Sequence, residues 1–391
     1  MMSPEEREQL TRDVEAFCEE VRPIEDICYL EHRFNDQVLP LAKKYNIAGM
    51  HVPKEYGGRG VDVLAYMMSL VRIGREGTGL RTFFSGHCSI GQTPIIEWGN
   101  EEQKEKYLSA SACGDKILAF GLTEPDAGSN PQEMQMTYRR EGDKFVLNGV
   151  KYLISNGTIA HAIVTFAYPE GKMDRISAFI VDTDGPGIEQ EALTAKLGLP
   201  TSDTSMYELS EYAVPVENLL GEEGDGWRIA MATLCSGRLS VASGSLGVIE
   251  DCLEEAVNYA RGRSQHGKPI AKHQLVQDHI ARIEIARQAS ESLLVTAVNA
   301  KMDADAAPDD RDLYHRADIL AAEAKFFISN AGCDAADRAI QVLGGRGYSE
   351  LYRPGRHWKD VRVCRIYEGT DEILKLKIAA SILGKGYEAF R

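Results

Sequence analysis

The stretch QVLGGRGYSELYRPGRHWKDVRVCRIYEGTDE, Gln341–Glu372, decides how the rest of the chain is read. Paired glycines, Gly344 and Gly345, close a helical pattern, a basic and aromatic segment follows, and then an acid, Glu368, stands between Tyr367 and Gly369. A carboxylate removes a proton from carbon only when the substrate is held against it, largely out of water, with its basicity raised toward that of the developing carbanion. Tyr367 and Ile366 offer an apolar wall for such a site, and Gly369 lets backbone approach a ligand closely. The Thr370 hydroxyl suits the cap of a helix begun by DEILKLKIAASIL. Taken alone, an acid at a helix start reads as a solvated side chain.

Upstream of this stretch the helical period is long. Ile229 to Arg261, Gln274 to Met302 and Asp312 to Leu343 each repeat apolar residues at three and four, with a polar break at Asp303 to Asp312. With the last helix they predict an antiparallel bundle over 226–391. Before it, the runs at Ile117–Glu124, Phe145–Leu147, Ala162–Phe166, Ile176–Val181 and Ser205–Leu209 are short and separated by turn residues. They predict a small β-barrel-like domain over 116–225, and strands arriving without intervening helices argue against a parallel doubly wound sheet. Residues 1–115 read as helical again: Ser3, Pro4 and Glu6 make a capping signature, Leu10, Val14, Phe17 and Val21 recur at helical spacing, and HVPKEYGGRG (51–60) is a loop.

A chain of 391 residues is large enough for two or three folding units, and 43% hydrophobic residues supply their cores. The formal charge of −15 argues against a nucleic-acid partner. Eight cysteines without CxxC spacing read as reduced thiols and give no metal-ligand pattern. No apolar run approaches the ~20 residues of a membrane span, and the acidic N-terminus carries neither signal-peptide core nor transit pattern, so a cytoplasmic location is expected. The Gly344–Gly347 run follows a helix rather than a strand, which does not support a Rossmann site.

Several motifs in order along the chain resemble the acyl-CoA dehydrogenase family: VPKEYGG (52–58), FGLTEPDAGSN (120–130), NGVKYLISNG (148–157), SGR (236–238), YARGRSQHGKPI (259–270), QVLGG (341–345) and IYEGT (366–370). The resemblance implies a β domain wedged between two helical ones, FAD as cofactor, and Glu368 as the base that removes the α proton while hydride passes from the β carbon to the flavin, giving a trans-2-enoyl thioester. It implies FAD contacts from Phe120, Leu122, Thr123, Gly128 and Ser129, from Leu153 and Ser155, and from Thr370 and Glu372. Arg263, Gln274, Gln341, Gly344 and Gly345 would reach the FAD of a neighbouring subunit in a homo-oligomer, by family a tetramer. Ser129, Arg238, Tyr367 and Gly369 would line the substrate, with the thioester carbonyl held at the Glu368 amide. The chain departs from the family pattern at Asn130 (usually Asp), Leu153 (usually Trp), Cys235 (commonly Asp) and His266 (usually Phe).

The segment GLRTFFS (79–85) is similar to the glutaryl-CoA dehydrogenase branch, in which the arginine and serine at the places of Arg81 and Ser85 bind the distal carboxylate of the substrate. Four residues apart, the two share a helical face, where Ser85 is a candidate partner for a buried guanidinium. The expected reaction is α,β-dehydrogenation of an acyl-CoA with electrons passed to an electron-transfer flavoprotein. A carrier-protein thioester, an oxygen-using oxidase or monooxygenase, and a non-catalytic scaffold on the same framework are the alternatives.

Overall fold

The structure, a computed structural model, describes residues 2–387 and 389. The N-terminal helices are α1 (Pro4–Leu30), α2 (Val38–Lys44), α3 (Val63–Glu76) and α4 (Thr78–Phe84), the last running into a π-helical stretch, Ser85–Gln92, before α5 (Thr93–Trp98). Short α6 (Glu101–Gln103) and α7 (Ser109–Ala112) complete the unit. The Ser3 capping box forms as its sequence requires: the Ser3 hydroxyl accepts from the Glu6 amide at 3.2 Å, and the Glu6 carboxylate accepts from the Ser3 amide at 2.9 Å.

Eight strands follow: β1 (Leu118–Gly121), β2 (Thr137–Glu141), β3 (Lys144–Ser155), β4 (Ala162–Pro169), β5 (Ser177–Asp182), β6 (Ile188–Ala192), β7 (Thr204–Pro215) and β8 (Leu219–Leu220). They pair as β6-β7-β3-β2-β4-β5-β8, with β1 beside β4. The sheet is mixed, because β4 takes β1 and β2 in parallel and β5 antiparallel. Central β4 is buried on both faces: Val164 and Phe166 pack with Phe120, Ile95 and Ile229 on the helical side, while Ile163 and Ala167 pack with Phe145, Phe179 and Tyr207 on the other. Strands β2 and β6, TYRRE and IEQEA, were not expected from the sequence because their polar composition hides their pairing with β3 and β7.

The C-terminal helices are α8 (Gly226–Gly262), α9 (Gln274–Ala306), α10 (Arg311–Leu343), α11 (Arg353–Val361) and α12 (Asp371–Leu383). Between α8 and α9 a small hairpin pairs β9 (Ser264–Gln265) with β10 (Lys268–Pro269). One hydrophobic core joins α1, α3 and α4 to α8, α9 and α10 through residues such as Phe17, Leu70, Phe84, Leu239, Leu294 and Ile328. Long α8 therefore serves both helical units. No helix among the described residues is long and apolar enough to cross a membrane.

Candidate active site

Glu368 stands in the crossing between α11 and α12, and its φ of 56° with the Gly369 φ of 96° makes two successive left-handed residues. That conformation is free for Gly369 but strained for a glutamate, so neighbours must hold it. Two cations do. Arg238 of α8 donates through Nε to the Glu368 carbonyl at 3.3 Å, and Lys325 of α10 donates to the Gly369 carbonyl at 2.6 Å. The turn lays the carboxylate on Gly237 of α8, where a Cβ would stand 2.5 Å from Oε2 and 2.6 Å from Cδ. Glu368 Oε2 is shut from solvent and has no hydrogen-bond partner among the described residues. Burial pushes the carboxyl up to about 7, against the opposing pull of Arg238, Lys325 and Arg81. An acid with a free, buried oxygen and a proton affinity near neutrality is equipped to take a proton from a weak carbon acid.

Beside it, Tyr367 receives a hydrogen bond from the Arg81 guanidinium, which also lies 5.6 Å from the ring centroid and 3.9 Å from the Cys364 thiol. Arg81 is 1% exposed, its Nε has no partner, and a Cβ on Gly244 of α8 would come within 2.6 Å of that Nε. The expected partner, Ser85, is not the one observed: the helix passes from α to π winding at Ser85, and the guanidinium turns instead to Tyr367 and Cys364. Ile366 also departs from expectation, being 52% exposed, so Tyr367 alone of that pair walls the acid. Arg238 is anchored to Asp318 at 2.7 Å, and Lys377 closes the other oxygen of Asp318. Thr370 caps α12 by accepting from the Ile373 amide at 3.3 Å, while Glu372 is exposed and lies 3.9 Å from Lys375.

The two glycine- and serine-bearing segments of the sheet are neighbours. The Tyr152 amide donates to the Thr123 carbonyl at 2.9 Å, and buried Lys151 bridges the Leu122 carbonyl at 3.2 Å and the Glu124 carboxylate at 2.8 Å. A register shift between Lys151 and Ile154 turns Leu153 outward with φ 60°, leaving it 54% exposed. Half-buried Thr123 and Ser155 flank this apolar ledge, and neither hydroxyl has a protein hydrogen bond among the described residues. Phe120 and Leu122 are buried, whereas Gly128 and Ser129 are exposed. An exposed apolar surface edged by unspent hydroxyls fits a flat aromatic ring with a polar rim, such as the isoalloxazine of FAD. The ledge reaches the N-terminal helices where Asn156 donates to the Phe83 carbonyl at 2.9 Å and Ser155 packs on Gly86.

Arg263, Gln274, Gln341, Gly344 and Gly345 are all exposed at one end of the bundle. Helix α8 runs from Gly237 to that end over some 25 residues, about 37 Å of helix. A single chain therefore does not bring these residues to its own Glu368. Sequence reasoning missed Gly237, Lys325 and Lys151. The signal for Lys325 was present: Ala321 four before it and Ile328 three after it place it on the buried stripe of α10.

Family models for the acyl-CoA dehydrogenase N-terminal, middle and C-terminal domains match residues 4–115, 119–212 and 224–383. An acyl-CoA dehydrogenase of Bacillus subtilis is 38% identical over 93% of this chain and 94% of its own length. Among solved structures, butyryl-CoA dehydrogenase from Megasphaera elsdenii superposes with a TM-score of 0.91 at 31% identity, covering 98% of this chain and 99% of that one. Glutaryl-coenzyme A dehydrogenase in its glutaryl-CoA complex superposes with a TM-score of 0.90 at 32% identity, covering 99% and 97%. The chain belongs to the acyl-CoA dehydrogenase family of FAD-dependent oxidoreductases.

Proposed function

We propose that this protein oxidises the α,β bond of an acyl-CoA thioester, with Glu368 as the base that removes the α proton. One observation carries the reading: a carboxylate raised to about 7 by burial, seated on a glycine, with one oxygen unpaired. Glu368 receives the α proton, and the thioester carbonyl rests at its backbone amide, where developing negative charge is stabilised. Tyr367 and Gly369 wall the reacting carbons, Arg238 steadies the turn from α8, and Ser129 meets the ligand from the sheet. FAD, when bound, supplies the hydride acceptor for the β carbon. Phe120, Leu122, Thr123, Gly128, Ser129, Leu153 and Ser155 would hold its ring side, with Thr370 and Glu372 from the start of α12. Arg263, Gln274, Gln341, Gly344 and Gly345 of a second copy would hold the remainder, in a homotetramer of chains each divided at about 115 and 225. Electrons would leave to an electron-transfer flavoprotein in the cytoplasm.

A second reading concerns the acyl group. Arg81 is a buried cation with an unpartnered Nε and no carboxylate in contact, an arrangement that costs free energy unless an anion arrives. A dicarboxylyl thioester would supply one, and the likeness to glutaryl-coenzyme A dehydrogenase supports this. Anaerobic flavin reduction measured across mono- and dicarboxylyl-CoA esters of increasing length tests both readings. Bleaching by a member of the panel is expected; a flavin-loaded protein that no ester bleaches contradicts the function, and reduction by monocarboxylyl esters alone contradicts the role of Arg81. Peroxide formed in air without another acceptor would instead favour an oxidase.

A further inference from the structure

An ammonium has no natural place on the inner stripe of a helix, yet Lys325 is 0% exposed there, among Ala321, Ala322, Ala324 and Ile328. It makes one close contact, to the Gly369 carbonyl at 2.6 Å. The charges facing it are accounted for element by element. Asp371, at the start of α12, is held by Arg365 at 2.8 Å and by Asn330 of α10 at 3.0 Å. Asp318 of α10 is held by Arg238 of α8 and Lys377 of α12. Arg81 of α4 is turned to Tyr367 and Cys364. Glu368 is thus the carboxylate of this cluster with no cation in contact, and Lys325 acts on it through space.

We propose that Lys325 is a positioning residue for Glu368: tied to the Gly369 carbonyl, it holds the left-handed turn that lays the carboxylate on Gly237, and its charge favours the ionised form of that carboxylate. A glutamate at φ 56° followed by a glycine at φ 96° needs fixed partners on both carbonyls, and Arg238 and Lys325 are those partners. The charge has a separate task. Burial raises Glu368, and a nearby cation favours its ionised form, so removing the cation raises it further. Burial also lowers Lys325, to about 8, while Cys364, Asp371 and Glu368 hold it up and Arg238 opposes them, so the ammonium persists at neutral pH.

The test uses the flavin-loaded protein and two substitutions. Lys325→Gln keeps a donor for the Gly369 carbonyl and removes the charge; Lys325→Met removes both. The protonated Glu368 carboxyl is followed by its infrared carbonyl stretch, assigned by its absence in Glu368→Gln. Both Lys325 variants are expected to move its titration to higher pH by on the order of one unit. The pH profile of anaerobic reduction should move with it, lowering the rate at pH 7 by about fivefold, and Lys325→Gln should recover at high pH while Lys325→Met does not. A Glu368 titration that stays in place in folded Lys325→Gln overturns the proposal. Should neither variant fold, wild type and Glu368→Gln labelled with 13C at lysine Cε carry the test: loss of the acid should lower the Lys325 titration, and an unchanged one overturns the proposal. The kinetic arm rests on Glu368 being the base, but the spectroscopic titrations do not. A protein that no acyl-CoA reduces, yet whose Glu368 band shifts in Lys325→Gln, keeps this inference and discards that reading.

Discussion

Gly237→Ala adds one methyl group where the Glu368 carboxylate rests. The new Cβ would stand 2.5–2.7 Å from the three carboxylate atoms, against the 3.4 Å at which ordinary contact begins. The helix itself welcomes the change, since alanine in a helix interior is favoured over glycine by about 0.5–1 kcal/mol. The carboxylate is the end of a flexible side chain and gives way by rotating about its own torsions, so the fold survives while the acid moves by about 1 Å. A displacement of that size in a reacting group costs roughly 10²-fold in rate, or about 2.7 kcal/mol of barrier. Anaerobic stopped-flow reduction with a saturating acyl-CoA, beside thermal melting and flavin content, separates the two effects. Melting within a few degrees of wild type, full flavin content and a reduction rate lowered roughly 10²-fold are expected. A folded, flavin-loaded Gly237→Ala protein reduced at the wild-type rate would refute the idea that this glycine seats the base.

Because the ionised acid is the active form and burial raises it to about 7, the reduction rate should climb through neutral pH and level off above it; a profile flat from pH 5 to 9 would contradict that assignment. Lys151→Met leaves the buried Glu124 carboxylate without its cation, a change that costs about 3–5 kcal/mol; urea denaturation should show the loss, and the loosened Thr123 segment should lower the FAD retained on purification. Asp360, raised by burial from 3.8 to about 7, accepts from both Tyr29 and the Leu199 amide on Oδ1, so Asp360→Asn can keep those bonds without the charge. In wild type the folded state holds this proton longer than the unfolded chain, so stability falls as pH rises from about 4 to 7 and stays low above. The variant should therefore exceed wild type at pH 8 by on the order of 1–3 kcal/mol and lose that advantage by pH 4, as read from denaturation at each pH.

How far the sequence reveals this molecule depends on whether a residue's partner is near it in the chain. The Ser3 and Thr370 caps were legible because each bonds an amide three residues on. The long bundle helices were legible because their apolar stripes repeat locally. Strand β3 was seen only at Phe145–Leu147, since Asn148, Gly149 and Lys151 look like a turn; they are accommodated by a bulge and by the buried ion pair of Lys151 with Glu124 of another segment. Glu368 was found through the motif around it, but what seats it, Gly237 and Lys325, lies 131 and 43 residues upstream and is connected to it only by folding. Arg81 shows the limit of helical spacing as a guide: Ser85, four residues on, was its candidate partner by periodicity, and a change of winding together with a tyrosine from the far end of the chain supplied a different partner.

The most direct test of the account removes the base without changing its shape. Glu368→Gln, loaded with FAD and mixed with excess acyl-CoA in the absence of oxygen, should still bind the thioester and perturb the flavin spectrum, yet keep its oxidised colour over times in which wild type bleaches fully. If the variant bleaches at the wild-type rate, Glu368 is not the group that takes the α proton.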